Sequence, residues 1–207
     1  MPAIAKPLQR PPQAWEFVPQ DYFARLADDA IFPAGSPLEV DLGCGDGSFL
    51  LAMAEHFPQR NFLGVERLLG RARKVCRRAA RANVKNLKVL RLESRYTVEW
   101  LLAPESVSRL HLLCPDPWPK VRHHRRRLVQ QEFLTAVGRV LVRGGEFLFK
   151  TDHAEYFEWV GAEVASHGML SELAWPEDAF FYPKTDFQEY WESQGKPIYQ
   201  ARYRRPA

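Results

Sequence analysis

Apolar runs of strand length recur along the chain at 38–42, 61–65, 87–92, 109–114 and 146–150, and each leads into a polar or glycine-rich segment. Runs of this length read as strands buried on both faces. Between them, apolar positions recur every three or four residues over 50–57, 67–82, 128–142 and 153–166, which predicts helices. The helix over 67–82 has two faces: Leu68, Ala72, Val75, Ala79 and Ala82 on one, Arg67, Arg71, Lys74, Arg78 and Arg81 on the other. Residues 19–29 predict a short helix, with Tyr22, Phe23 and Leu26 on one side. Residues 169–174 read as a weaker strand and 175–184 as a loop, and a last strand begins at the tail of 195–199. Residues 1 to about 15 are proline-rich and read as a loose arm. The expected organisation is an arm with a short helix over 1–35 and a single domain over 36–207.

The strand ends carry the candidate chemistry. The first runs into Asp41-Leu42-Gly43-Cys44-Gly45-Asp46-Gly47-Ser48 and opens a helix. Such a turn lets a ligand approach the backbone close to a helix N-terminus. The spacing is GxGxG, with Ser48 where a dinucleotide fingerprint has its third glycine, and Asp46 would repel a pyrophosphate. Acids at Asp41 and Asp46 suit a cofactor that carries positive charge, as S-adenosylmethionine does. The second strand ends at Glu66, where a carboxylate can accept both hydroxyls of a ribose. The third leads to Glu93, an acid within reach of an adenine amino group or, alternatively, a charge favoured at a helix N-terminus. The fourth ends in Pro115-Asp116-Pro117-Trp118-Pro119, a stiff loop that runs into Lys120, Arg122, Arg125, Arg126 and Arg127. The fifth ends at Asp152. Acids gathered at the carboxyl edge of a parallel sheet mark a ligand site, and a neighbouring basic block suits a polyanion. Trp118 reads either as a base-stacking ring or as the loop's anchor.

Charge is uneven. Eleven Lys and Arg fall between Arg60 and Arg91 against one acid, Glu66, while ten Asp and Glu between Thr151 and Gly195 face Lys184 alone. A basic face for a polyanion and a separate acidic region follow, unless the arginine-rich helix is merely a solvated surface. A composition of 46% hydrophobic residues excludes a chain disordered throughout. The lack of any long apolar run or signal-peptide pattern predicts a soluble, cytoplasmic protein. Cys44, Cys76 and Cys114 are scattered, so neither a disulfide framework nor a metal site is expected.

Taken together, the glycine loop of residues 40–47, Gly64-Val65-Glu66, the stretch PDPWPKVRHHRRR over 115–127, Lys150-Thr151-Asp152, and Thr185-Asp186-Phe187-Gln188 with Gly195-Lys196-Pro197-Ile198-Tyr199 resemble the bacterial tRNA (guanine-N7-)-methyltransferase family over about residues 36–204. The resemblance implies an α/β, Rossmann-like class I methyltransferase fold: a seven-stranded, mostly parallel sheet with an antiparallel last strand and helices on both faces. It implies S-adenosylmethionine as donor and guanine 46 of the tRNA variable region as acceptor; between a monomer and a homodimer the sequence does not choose. Matched by motif, Asp116 falls on the catalytic position, and Asp41, Gly43, Gly45, Glu66, Glu93 and Asp116 on cofactor positions. Lys120, Asp152, Thr185, Phe187 and Gln188 fall on substrate positions, and Arg122, Arg125 and Arg126, in the basic block, would hold phosphates of the same substrate. The chain departs from the family pattern at Asp41, Glu93 and Gln188, where Glu, Asp and Glu are usual. Methylation of another RNA or a small molecule, and noncatalytic RNA binding, are the alternative readings. A dehydrogenase is the weakest, because its third glycine is misplaced.

Overall fold

Because every residue after the first is buried in the strands at Leu38–Leu42 and Asn61–Val65, both faces of the sheet must be covered. The structure, a computed structural model, describes residues 14–27, 29–176 and 179–207. The sheet it contains has eight strands among the described residues, β1 (Glu16–Phe17), β2 (Leu38–Leu42), β3 (Asn61–Val65), β4 (Leu87–Leu90), β5 (Val107–Leu113), β6 (Leu141–Thr151), β7 (Ser171–Leu173) and β8 (Tyr199–Arg204). Their order is β1-β4-β3-β2-β5-β6-β8-β7. Pairing is parallel from β1 to β6 and antiparallel at β8, on both of its sides. Seven of these strands answer to the expected sheet. The eighth, β1, arises because the backbone of residues 14–17 pairs along β4, where Val89 N–H donates to Trp15 O at 2.8 Å and the Trp15 indole donates to Val84 O at 2.7 Å. The remainder of the arm, residues 1–13, lies outside the described residues.

Two apolar cores sandwich the sheet. On one face α1 (Ser48–His56) and α2 (Leu69–Ala82) bury Phe49, Leu50, Met53, Ala72, Val75, Cys76 and Ala79 against Phe62, Leu87 and Val89. Leu68 and Ala82, assigned to this face by periodicity, are exposed, and Cys76 takes their place. The other core is built by α3 (Ser94–Tyr96), the π-helical turn Thr97–Leu101 that continues it, α4 (Gln131–Val140) and α5 (Ala154–His167). It includes Phe133, Val137, Tyr156 and Val160.

Three local expectations change. No helix forms over 19–27, because that segment's polar groups turn outward: Leu26 N–H donates to Leu101 O at 2.9 Å, Tyr22 O accepts from the Tyr96 hydroxyl at 2.7 Å, and Arg25 reaches Leu102 O at 3.1 Å. The helix expected from 128 starts at Gln131, since Arg95 and the Trp159 indole take the carbonyls of Arg127, Leu128 and Val129. The helix expected to reach 142 ends at Val140, and β6 takes over at once; its register against β5 slips between Leu141 and Glu146, where Gly144 adopts φ +73°.

A candidate active site at the carboxyl edge of the sheet

Strand order reverses at β2, which lies between β3 and β5, and a crevice opens beyond the carboxyl ends of β2 and β5. Two adjoining cavities occupy it. One, of about 430 Å³, is lined by Gly43, Glu66, Arg67, Leu68, Arg71, Glu93, Ser94, Asp116, Trp118 and Arg126, among others. Its neighbour, of about 560 Å³, is lined by Asp41, Gly43, Cys44, Gly45, Asp46, Asp116, Thr185, Phe187 and Tyr190, among others. Gly43, Arg71, Leu113, Cys114 and Asp116 line both. Volumes of this size suit a small-molecule ligand.

The glycine turn is shaped by its neighbours. Gly43 and Cys44 donate their N–H groups to Val65 O at 2.8 and 3.0 Å. Gly43 has φ +76° and a Cβ there would meet nothing, so it keeps open space over the turn. Gly47, with φ +80°, has a different reason: a Cβ would fall 2.6 Å from Val75 Cγ1. Asp46 is gripped by Lys74 at 2.9 Å and Arg78 at 3.1 Å, so its charge serves the contact between loop and α2. Of the two acids read as matching a cationic cofactor, Asp41 lacks a countercharge among the described residues, and burial, with Glu66 nearby, pushes its carboxyl up to about 7. Glu66 is also buried; one oxygen takes the Leu68 N–H at 2.7 Å and the other has no partner among the described residues. Glu93 accepts the Tyr96 N–H at 2.8 Å as the cap of α3, as one of its two sequence readings has it, and it also lines the smaller cavity.

The loop after β5 is held in an unusual backbone. Cys114 and Trp118 have φ +51° and +44°, conformations that cost non-glycine residues free energy and cluster where surroundings enforce them. At one end of the loop Cys114 N–H donates to Lys150 O at 2.8 Å, and the other end is tied down by Arg127. It is fully buried, donates to Pro117 O at 2.9 Å and His124 at 3.0 Å, pairs with both oxygens of Glu155 on α5, and lies 5.0 Å from the Tyr156 and Trp159 rings. Read from the sequence as one more phosphate contact, Arg127 is instead a buried brace that ties the Asp116 loop to α5. Arg122, Arg125 and Arg126 remain exposed, as does Lys120; Arg126 lies 4.9 Å over the Trp118 ring, and His123 meets that ring edge-on.

The far wall comes from α6 (Asp186–Ser193), which continues the segment read as a loop. Thr185 caps it, accepting the Gln188 N–H at 3.0 Å. Gln188 points inward: only 6% exposed, it lies 3.3 Å from Lys150 Nζ and donates to Glu192 at 2.8 Å. Glu192 in turn pairs with Lys184 at 2.5 Å. The negative charge that Glu would bring at 188 is thus supplied one turn later. Behind α6, Tyr182 bonds His111 Nδ1 at 2.8 Å and His111 Nε2 lies 2.9 Å from buried Glu39, tying the segment before α6 to β5 and β2.

Of the predicted site residues, Asp41, Gly43, Gly45, Glu66, Glu93, Asp116, Arg126, Thr185 and Phe187 line one or both cavities. Lys120, Arg122, Arg125, Asp152 and Gln188 line neither. Sequence reasoning missed Arg71, Cys114 and Tyr190 as lining residues. For Tyr190 a signal existed, since Thr185-x-x-Gln188 is the start of a capping box and predicts a helix whose positions 187 and 190 share a face.

Comparisons with known proteins fit this geometry. Residues 35–201 match a family described as "Putative methyltransferase". The chain is 36% identical over 193 residues to the tRNA (guanine-N(7)-)-methyltransferase of Syntrophotalea carbinolica, spanning 91% of this chain and 83% of that protein. It is 32% identical over 200 residues to the enzyme of the same name from Geobacter metallireducens, spanning 92% and 93%. A solved SAM dependent methyltransferase from Aquifex aeolicus superposes with a TM-score of 0.57 at 12% identity, over 81% of each chain, which establishes the fold. With relatives this similar over nearly its whole length, the chain belongs to the tRNA (guanine-N7-)-methyltransferase family.

Proposed function

We propose that this protein transfers a methyl group from S-adenosylmethionine to N7 of guanine 46 in the tRNA variable region. The observation that carries the reading is the junction of the two cavities at Gly43, Cys114 and Asp116, which leaves room for a donor and an acceptor side by side. The residues fit the donor: among the described residues Asp41 is a buried acid with no countercharge and Glu66 offers an unpartnered oxygen, and Gly43 leaves the turn uncovered. Glu66 would hold the ribose, Glu93 the adenine amino group, and Asp41 with the Gly43–Gly45 turn the amino-acid end. When bound, the cofactor supplies an electrophilic methyl group on a sulfonium.

The protein's own task is placement. Guanine N7 carries a lone pair, so no proton has to be removed and no general base is needed. Asp116, held by Pro115, Pro117 and the Arg127 brace, accepts hydrogen bonds from the guanine N1–H and amino group, and its charge offsets the positive charge that develops on the ring. Alignment of this kind contributes up to about 7–11 kcal/mol of barrier lowering in favourable cases. Lys120, Arg122, Arg125 and Asp152, outside both cavities, belong to the rim that meets the tRNA, and Thr185, Phe187 and Gln188 form or support the acceptor wall.

The test is transfer of labelled methyl to unmodified tRNA transcripts carrying guanine or adenine at position 46. Label on the guanine transcript alone, followed by strand scission there after reduction and aniline, is expected; label on both would overturn the assignment. Asp116→Ala is expected to cut turnover about 100-fold or more with tRNA affinity nearly unchanged, and equal loss of both would remove Asp116 from the catalytic role.

A further inference from the structure

The larger cavity combines features that the donor site does not need. Asp41, Asp46, Asp116 and Asp186 line it, yet it also has one basic lining residue among the described residues, Arg71 from the first turn of α2. Lys74 and Arg78, one turn and two turns further along that helix, are taken by Asp46, and Arg78 also approaches Asp186 at 3.9 Å. Arg71 is exposed and has no hydrogen-bond or ion-pair partner among the described residues. Across from it, α6 presents two rings three residues apart, Phe187 at 44% and Tyr190 at 58% exposure. Both rings are backed edge-on by Trp191, at 5.8 and 5.0 Å between centroids, and Lys196 lies 3.4 Å over Trp191 from behind. The cap at Thr185 and the buried Gln188 fix the helix so that these rings face the cavity instead of the core.

Two exposed rings on a rigid backing form a stacking platform, and stacking on a nucleobase is the use such a platform has beside a basic surface. A free guanidinium on the same cavity is suited to a phosphate. We propose that Phe187, Tyr190 and Arg71 form a nucleotide subsite, in which the target purine, turned out of its RNA stack, lies on the Tyr190 and Phe187 rings while Arg71 holds its phosphate. The subsite rests on the proposed tRNA reaction and names the residues that receive its acceptor. It assigns to Tyr190 and Arg71 a role in which their side chains touch the substrate nucleotide.

The experiment is a binding cycle that does not depend on turnover. tRNA transcripts carrying either guanine or an abasic residue at position 46 are titrated with the wild-type protein, Tyr190→Ala, Tyr190→Phe and Arg71→Gln. Loss of the base is expected to weaken wild-type binding about tenfold and to make no further difference in Tyr190→Ala, whereas Tyr190→Phe behaves as wild type. In Arg71→Gln the dependence of log affinity on log salt should flatten by about one phosphate contact. S-adenosylmethionine affinity should be unchanged in Tyr190→Ala, which also reports that the variant is folded. Additive effects of the abasic residue and Tyr190→Ala would overturn the stack, and an unaltered salt slope in Arg71→Gln would overturn the phosphate contact. Absence of methyl transfer by the wild-type protein would strike the parent reaction, while the cycle would still decide the subsite.

Discussion

Arg127 and its neighbours separate two uses of the same side chain. A basic run in sequence does not say which member turns inward, because that depends on Glu155, Tyr156 and Trp159, 28 to 32 residues further along the chain. Asp41 and Glu66 were legible for the opposite reason: a strand end fixes where its last residues point, and Asp116 was legible from the prolines on either side of it. Arg127→Gln should lower stability by about 2–4 kcal/mol and reduce turnover, with the salt slope of tRNA binding unchanged. Arg122→Gln should do the reverse, lowering the slope by about one at wild-type melting temperature, and titrations at several salt concentrations distinguish the two. Asp41 makes a prediction about pH. Its folded value of about 7 lies above the ordinary aspartate value of 3.8, so the stability it lends the cofactor-free fold is complete below 3.8 and is lost as pH rises through about 7. A cationic ligand favours the ionised form, so S-adenosylmethionine should bind more tightly as pH rises through about 7 and release a proton below it. Calorimetry in buffers of different ionisation heat measures that proton, and Asp41→Asn should abolish it; a proton still released by the variant would assign the effect elsewhere.

Helices and turns carry the site because of what they leave uncovered. Gly43 and Gly47 sit in one motif and look alike in sequence, yet only the structure separates them. Gly47→Ala should cost about 2 kcal/mol or more, because the methyl group would meet Val75 and the helix pair cannot close. Gly43→Ala should cost about 1 kcal/mol of backbone strain and abolish most cofactor binding, since the methyl group would stand in the cavity. Thermal melts paired with cofactor titrations read both quantities, and similar losses in the two variants would refute the distinction. The basic stripe of α2 divides in the same manner: Lys74 and Arg78 are spent on Asp46, and Arg71 is left facing the cavity. Periodicity placed these cations on one face, while the partner of each lies on another element and was not readable. The α6 helix was missed because apolar spacing in it is short, although its cap was written at Thr185 and Gln188.

At the scale of the molecule, the sheet gathers Asp41, Glu66, Glu93 and Asp116 in the crevice, while Lys120, Arg122 and Arg125 are exposed and lie outside both cavities. Among the described residues no helix is long and apolar enough to cross a membrane. The alternation of strands and helices was legible because buried strands have no polar face to disguise them, whereas β1 has two residues and no period to read. That short strand has a consequence for how copies of the chain behave toward one another. A bare β4 would present a row of unpaired amide and carbonyl groups, a template onto which a second chain can add. The pairing of Glu16 and Phe17 with Val89 and Leu90, with the Trp15 ring fastened to Val84, stoppers that row. Removal of residues 1–17 should therefore leave a folded protein that self-associates in a concentration-dependent way. Sedimentation of the shortened chain beside the full one would show it, and identical monomer-to-oligomer ratios would mean that the edge is kept safe by other means.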